Sequence, residues 1–222
     1  MLLAVDTSTA QVGLALYDGA QVLGEMTWTT RQHHTTELAP ALVGLLTRSG
    51  NTMEAVSALA VAIGPGSFTS LRVGLSFVKG LALARHVPIV GIPTLDVIAA
   101  AQPVGKHPLI AVLQAGRTRI AYNVYKNQKK EWQVEGEIRS GTVDELMAQI
   151  ESPTYVAGEL TAEERQRLSK KNKNVILASP ANSVRRPSIL AELAWGRVQK
   201  NDVDEAASLA TIYLHVAGAP PA

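Results

Sequence analysis

The stretch AIGPGSFTSLRVGLSFVKGLALAR, residues Ala62–Arg85, runs from the end of an apolar strand through a Gly-Pro-Gly-Ser turn into an apolar helix. A glycine-rich turn between a strand and a helix can bind an anion through backbone N–H groups and the helix dipole. The Gly-Lys-Ser/Thr of a P-loop is absent, as is a dinucleotide-binding fingerprint. We therefore interpret Gly64–Ser67 as a tight turn with Ser67 or Thr69 capping the helix, and anion binding remains the alternative.

The helix of this stretch, Thr69–Arg85, is predicted to be apolar on two sides. Its narrow polar strip consists of Arg72, Ser76 and Lys79. Two interior glycines, Gly74 and Gly80, each cost about 1 kcal/mol relative to alanine in a helix. Such glycines are understandable if another element packs very close. One side of the helix is expected to cover a sheet, and the other is covered either by the same domain or by another chain.

The amino-acid composition restricts the class of protein to which this chain can belong. The chain has 222 residues, 46% of them hydrophobic, enough for one or two compact domains. It has no cysteine, which excludes disulfides and cysteine-ligated metal sites. We find no apolar window of membrane-spanning length and no signal-peptide pattern, so we expect a cytoplasmic protein. A net charge of +2 gives little reason to expect nucleic acid as the main ligand.

Charged residues are distributed unevenly along the chain. Residues 1–110 carry 12 of them and residues 111–222 carry 28. The change falls near Gln102–Leu109, a segment with proline and glycine that is typical of a linker. We therefore predict an N-terminal lobe at 1–105 and a C-terminal lobe at 106–222.

Hydrophobic periodicity predicts the order βββαβαβα in the first half. Three strands within residues 2–28 include a hairpin turn at Asp18-Gly19. A helix follows at Glu37–Arg48, capped by Thr35 or Thr36, with Pro40 in its first turn. The second half repeats the pattern less clearly and ends in a helix beginning near Pro187. Two halves that each open with three strands indicate a duplicated α/β domain with mixed sheets and flanking helices.

Polar side chains follow the first strand, in the segment VDTST. Phosphotransferases of the actin, Hsp70 and sugar-kinase type place an aspartate and hydroxyls at this turn, facing ATP phosphates and a metal. Asp6, Thr7 and Ser8 are therefore weak candidates for nucleotide binding. The alternative is that these side chains hydrogen-bond the backbone of their own turn.

Other polar clusters carry weaker signals. His33 and His34 are adjacent and so do not share a helix face; a surface or helix-start role is expected, and we predict no metal site. No acid–base pair or other catalytic residue can be identified. The basic clusters are interpreted as solvated faces, with RNA phosphates as the alternative. They are Lys129-Lys130, Lys170-Lys171 with Lys173, and Arg185-Arg186.

Four segments in order resemble one known family: LLAVDTST…VGLAL, HTTELAPALVGLL, GPGSFTSLRVGLSFVKGLA and VPIVGIPTLDVIA. Over about residues 1–101 the chain is similar to the bacterial TsaB proteins, also called YeaZ. In the second half only YVAGE at Tyr155–Glu159 and YLH at Tyr213–His215 resemble family segments. The family takes part in making threonylcarbamoyladenosine on tRNA.

The resemblance implies an actin-like, Hsp70-like (ASKHA) two-lobed fold. It also implies a complex with a TsaD-like catalytic subunit and a TsaE-like ATPase. ATP, ADP and metal are then expected on those partner subunits, with no cofactor on this chain and indirect or weak contact with tRNA. In TsaD a His-x-x-x-His pair binds metal; the corresponding positions here are Thr94 and Ile98, which cannot replace imidazoles.

The chain departs from the family pattern in three places. Ser70 stands where the family has glycine, and Gln114-Ala115-Gly116-Arg117 replaces an Asp-Ala-Arg pattern. The segment Tyr213–His215 ends in histidine where the family has arginine. These departures bear mainly on contacts of the second lobe and the C-terminal segment.

The sequence thus favours a catalytically silent scaffold subunit. The main alternative is a free-standing ATP-dependent phosphotransferase of the actin-like fold; a protease has no motif in its support. The partner surface is predicted on the two helices of the first lobe, which should also pair two copies of the chain when it is alone. Its residues are Leu38, Leu42, Leu45, Leu46, Leu71, Gly74, Leu75, Phe77, Val78 and Leu81.

Overall fold

A computed structural model describes residues 1–31, 33–116 and 118–214. The chain divides into two compact units. The first unit is Met1–Val97 with Arg185–Ile212, and the second is Ile98–Val184 with Tyr213 and Leu214 among the described residues. The predicted range 106–222 for the second lobe is therefore corrected. The chain returns to the first unit at Arg185, because the helix that follows covers the first unit's sheet.

The first unit contains one mixed sheet with helices on both faces. Its strands are β1 Leu2–Asp6, β2 Gln11–Tyr17, β3 Val22–Thr29, β4 Ala58–Ala62 and β5 Ile89–Ile92. Its helices are α1 His34–Arg48, α2 Phe68–Arg85, the start of α3 Thr94–Ala100, and α6 Pro187–Val198. The strand order is β3-β2-β1-β4-β5, with β1, β4 and β5 parallel and the other neighbours antiparallel.

Alternation along the central strand sends side chains to two different cores. Leu3 and Val5 of β1 pack with the leucines of α1 and with Leu75 and Val78 of α2. On the opposite face, Leu2 packs with the small residues of α6 and with alanines of β1, β2 and β4. The small side chains let α6 lie close to the sheet.

The second unit repeats the topology of the first. Its strands are β6 Leu109–Gln114, β7 Ile120–Gln128, β8 Glu131–Gly141, β9 Thr154–Gly158 and β10 Val175–Leu177. Helices α4 Val143–Ala148 and α5 Ala162–Lys171 complete the set. The order β10-β9-β6-β7-β8 has the same parallel and antiparallel neighbours as the first sheet. The duplicated, actin-like two-lobed fold is thus confirmed.

Helix α1 differs from its prediction at its start. It begins at His34 rather than Glu37, so Pro40 lies one turn further inside the helix. No side chain caps the helix, and the expected cap by Thr35 or Thr36 is wrong. Instead, the backbone oxygen of His33 accepts from the N–H groups of Thr36 and Glu37, which winds the chain into a helix earlier.

Among the described residues, no helix combines the length and the apolar character needed to cross a membrane.

Candidate functional site

Three loops of the first unit meet where its parallel strands end. β1 ends at Asp6, β4 at Ala62 and β5 at Ile92. Because parallel strands place their carboxyl ends at one edge of a sheet, this edge is where ligands bind in open α/β folds. The candidate residues Asp6, Thr7 and Ser8 are therefore brought beside the Gly64–Ser67 turn.

Asp6 is buried and paired with an arginine from the far end of the chain. Its carboxylate accepts from Nε of Arg185 at 2.8 Å and from the backbone N–H of Ser8 at 2.8 Å. Nη2 of Arg185 also donates to Oγ1 of Thr9 at 3.0 Å and to the backbone oxygen of Gln11 at 2.9 Å. Arg185 is only 1% exposed, so this cation is part of the interior.

The remaining hydroxyls of this turn are also engaged inside the first unit. Thr7 donates through Oγ1 to the backbone oxygen of Ser70, in the first turn of α2, at 2.7 Å. Ser8 Oγ lies 2.8 Å from Oγ1 of Thr94. Both Thr7 and Ser8 are fully buried. Only Asp6 bonds the backbone of its own turn, as the alternative reading predicted, whereas Thr7 and Ser8 bond other elements of the first unit.

The Gly-Pro-Gly-Ser segment is a tight turn in which the N–H groups of Gly64 and Ser67 have internal acceptors. Gly64 has φ +107°, a conformation that favours glycine, and its N–H donates to Oγ1 of Thr94 at 3.0 Å. Ser67 donates its N–H to the backbone oxygen of Ser8 at 2.7 Å. A side chain on Gly66 would overlap that same oxygen. Ser67 occupies the N-cap position of α2, but its side chain makes no capping hydrogen bond.

The residues at this edge do not fit a metal-bound nucleotide. The carboxylate that would face a metal already holds the Arg185 guanidinium, and the N–H groups of Gly64 and Ser67 are taken. Thr94, at one of the two positions of the partner family's histidines, bonds Ser8 and Gly64, and Ile98 is buried. Within the described residues, no three His, Asp or Glu side chains are grouped so as to hold a metal ion.

The corresponding edge of the second unit is filled by a carboxylate. Glu164, in the first turn of α5, accepts from the backbone N–H of Thr161 at 2.7 Å and from Nε2 of Gln114 at 2.6 Å. The side chain therefore occupies the N-terminus of α5, where an anion would bind. Arg117 and His215, which mark two departures from the family pattern, lie outside the described residues.

The residues predicted to form a partner surface mostly lie inside the first unit. Phe77 and Leu81 are half-buried against its core. The other eight are buried, so their assignment to a surface is corrected: Leu38, Leu42, Leu45, Leu46, Leu71, Gly74, Leu75 and Val78. They form the faces of α1 and α2 that cover the sheet. Gly74 lies against Thr7 of the same unit, so the close neighbour that this glycine permits is the chain's own turn.

The outward faces of α1 and α2 carry different apolar side chains. Val43 is 63% exposed and Leu83 is 68% exposed. Phe68, at the start of α2, is half exposed, and the guanidinium of Arg72 lies 3.6 Å from its ring centre. Gly80 is exposed with open space around it. These faces were not identified from the sequence, where the leucine-rich faces of the two helices were chosen instead.

Sequence reasoning also missed Arg185, which was grouped with Arg186 on a solvated face. A signal was present, because a buried aspartate at the end of an apolar strand needs a cation. His34 was expected at the surface or at a helix start. It starts α1 but is buried, with Nε2 3.0 Å from the backbone oxygen of Thr9.

Glu25 of β3 fixes the start of α6, directly after Arg185. It accepts from Nη2 of Arg186 at 2.7 Å and from the N–H and Oγ of Ser188 at 3.0 and 2.6 Å. Burial acts to raise the pKa of Glu25, but the hydrogen bonds from Arg186 and Ser188 together outweigh it and lower the pKa below its ordinary value. This anchor joins Arg186 and the first turn of α6 to β3.

The two sheets of one topology with flanking helices define a protein of the actin-like fold, in which the turn after β1 is bonded internally. The family model "TsaD: tRNA N6-adenosine threonylcarbamoyltransferase" matches residues 21–213. The chain is 29% identical over 163 residues to the tRNA threonylcarbamoyladenosine biosynthesis protein TsaB of Escherichia coli, covering 71% of this chain and 70% of that protein. The chain therefore belongs to the TsaD family of this model and, within it, to the TsaB (YeaZ) proteins.

A second curated relative is also similar in sequence, and two solved structures share the fold. The TsaB of Bacillus subtilis is 33% identical over 99 residues, which cover 45% of this chain and 43% of that protein. The structure of YeaZ from Pseudomonas aeruginosa superposes with a TM-score of 0.78 at 23% identity, over 96% of this chain and 99% of that chain. The ethanolamine utilization protein EutJ from Carboxydothermus hydrogenoformans shares the fold at a TM-score of 0.54, with 14% identity over 86% and 88% of the chains.

Proposed function

We propose that the chain is a non-catalytic partner subunit in the synthesis of threonylcarbamoyladenosine on tRNA. In this role it binds a TsaD-like catalytic subunit, and a TsaE-like ATPase joins the complex. The names of its TsaB relatives support the pathway. ATP, ADP and metal belong to the partner subunits, contact with tRNA is indirect or weak, and the complex works in the cytoplasm, where tRNA is available.

The observation that carries the non-catalytic role is the closure of the Asp6–Thr9 turn. Arg185, Ser70 and Thr94 engage its side chains from within the first unit. A nucleotide would have to displace a buried ion pair and several hydrogen bonds, and breaking such a pair typically costs about 3–5 kcal/mol. This cost counts against the free-standing phosphotransferase.

The outward faces of α1 and α2 are the proposed surface for the TsaD-like subunit. The stripe Thr36, Pro40, Val43 and Thr47 on α1 is exposed and carries no charge. On α2 the exposed stripe Thr69, Arg72, Ser76, Gly80 and Leu83 carries one charge. Helices of 15 and 18 residues are about 22–27 Å long. Two such helices side by side can supply the roughly 800 Å² that a stable interface needs from each partner.

The test compares the same substitution on two faces of the first unit. Gly80→Arg adds a long charged side chain on the outward face of α2, where nothing lies within 4 Å. Gly196→Arg does the same on α6, at the opposite face of the sheet, where the space is also open. We expect Gly80→Arg to weaken binding to the TsaD-like subunit by at least about tenfold, or roughly 1.4 kcal/mol, and Gly196→Arg to leave it unchanged.

Titration calorimetry gives the affinities, and gel filtration tests whether the unpartnered chain self-pairs through the same face. In cells that rely on Gly80→Arg alone, nucleoside mass spectrometry should show less threonylcarbamoyladenosine than in cells with Gly196→Arg. A folded Gly80→Arg that binds as well as the wild type would place the interface elsewhere. Phosphate release from ATP by the isolated wild-type chain, lost on Asp6→Ala, would instead support the phosphotransferase.

A further inference from the structure

The guanidinium of Arg185 is held by oxygen atoms from three residues. Nε donates to the carboxylate of Asp6 at 2.8 Å, and Nη2 donates to Oγ1 of Thr9 at 3.0 Å and to the backbone oxygen of Gln11 at 2.9 Å. A carboxylate, a hydroxyl and a carbonyl are the ligands that hard divalent cations such as Mg²⁺ and Ca²⁺ prefer. We name Asp6, Thr9 and the Gln11 carbonyl the oxygen nest.

The position of the oxygen nest requires a positive charge. Asp6 is 2% exposed at the end of a strand whose other residues are all apolar. A carboxylate in such surroundings is strongly destabilised unless a cation pairs with it. In this chain the cation is covalently attached, since Arg185 reaches Asp6 from a position 179 residues away.

Among the described residues of this edge, the hydroxyl groups of the β1–β2 turn are already engaged. Thr7 and Ser8 are bonded to Ser70 and Thr94, and the N–H of Ser67 donates to the Ser8 oxygen. The actin-like fold implies a metal and nucleotide at this turn, and the residues present disagree with that implication. The disagreement is concentrated in Arg185, because its side chain alone occupies the position of the cation.

We propose that Arg185 is a built-in cation that fills a divalent-cation site. The guanidinium supplies the positive charge that a bound metal would otherwise supply to Asp6. It also excludes Mg²⁺ and metal-bound nucleotides from this part of the first lobe. Truncation of Arg185 exposes the oxygen nest and gives the protein a divalent-cation dependence that the wild type lacks. This inference concerns the first unit alone and does not rest on the proposed function.

The experiment measures thermal melting of three variants by circular dichroism, with and without Mg²⁺ or Ca²⁺ as chloride salts. Arg185→Ala removes the guanidinium and keeps the Asp6 carboxyl group. Arg185→Ala combined with Asp6→Asn removes the carboxyl group as well. Arg186→Ala is the matched control, because it deletes a neighbouring arginine that is exposed and paired with Glu25.

We expect about 10 mM Mg²⁺ or Ca²⁺ to raise the melting temperature of Arg185→Ala by on the order of 5 °C. The wild type, Arg186→Ala and the double variant should not respond. If Arg185→Ala is unfolded without a divalent cation, the cation should restore its folded spectrum. Titration calorimetry with MgCl₂ and CaCl₂ should give one site per chain in Arg185→Ala.

Two outcomes would overturn the proposal. An Arg185→Ala protein whose melting or folding is indifferent to both cations has no divalent site in the nest. An equal response in the double variant would show that the cation acts away from Asp6. If Arg185→Ala is unfolded without a cation, the test is still valid, because recovery of the folded spectrum on adding the cation is then the quantity measured.

Discussion

Gly74 and Gly80 of α2 are expected to respond with opposite signs to the same substitution. A Cβ added at Gly74 would overlap Oγ1 of Thr7 and lie 3.2 Å from its Cβ and Cγ2 atoms. A Cβ added at Gly80 meets no atom within 4 Å. The two positions share a helix and a residue type, so the difference between them isolates the contact with the β1–β2 turn.

The magnitudes follow from three terms. Gly→Ala stabilises a helix interior by about 1 kcal/mol. At Gly74, overpacking costs about 1–3 kcal/mol. Displacing Thr7 also breaks its hydrogen bond to the Ser70 oxygen, worth about 1 kcal/mol. We therefore expect Gly74→Ala to destabilise the protein by about 1–3 kcal/mol and Gly80→Ala to stabilise it by about 0.5–1 kcal/mol.

Urea denaturation followed by circular dichroism measures both variants against the wild type. The slope of unfolding free energy against urea concentration should stay the same, so that midpoint shifts report stability. Thr7→Ala combined with Gly74→Ala tests the mechanism, because loss of Oγ1 removes the atom that the added Cβ overlaps. The double variant should be less destabilised than the sum of the two single variants. Equal effects of Gly74→Ala and Gly80→Ala would refute the assignment of Gly74 to the interior.

Two further predictions concern how α6 and the segment after it are held. Hydrogen bonds from Arg186 and the first turn of α6 outweigh burial and lower the pKa of Glu25. The ionised Glu25 side chain therefore stabilises the fold above the ordinary glutamate pKa, and this stabilisation is lost as the pH falls through the lower pKa of the folded state. Glu25→Gln should therefore cost about 1 kcal/mol at neutral pH, and in thermal melts this cost should shrink as the pH falls below the ordinary glutamate pKa. Asp204 accepts from the Gly91 N–H at the free edge of β5, so Asp204→Ala should cost about 1–2 kcal/mol and speed hydrogen exchange of that amide. Asp202→Ala, at an exposed position, should change stability by less than about 0.5 kcal/mol.

Most of the fold could be predicted because its signals are local. Alternating apolar residues, the Asp18-Gly19 hairpin and helical periodicity give the strand and helix order of both units. Hydrogen bonds around His33 start α1 three residues before the predicted position, and backbone hydrogen bonds of this kind leave no periodic pattern in the sequence. The boundary at residue 105 missed the return at Arg185, because composition changes at linkers and does not show where a later helix packs.

The site was less predictable because it depends on contacts between distant residues. Asp6, Thr7 and Ser8 could be identified as a polar cluster, but their partners lie on α2, α3 and before α6. The inward and outward faces of α2 could not be distinguished, since Leu75 and Leu83 are chemically alike and only packing decides which is covered. For that reason the predicted partner surface fell on residues of α1 and α2 that face the sheet. Whether the outer faces of these helices bind a partner stays a prediction.

The first unit is built from two separate segments of the chain, and this affects how it can fold during translation. Asp6 and its strand emerge first, but Arg185 follows 179 residues later, which is roughly 10–40 s at ordinary rates of translation. During that interval the alanine-rich sheet face lacks α6, and the carboxylate lacks its cation. The main segment of the second unit, Ile98–Val184, is continuous and complete before Arg185 is made. The main segment of the lobe that begins later in the chain can therefore fold before the first lobe is complete.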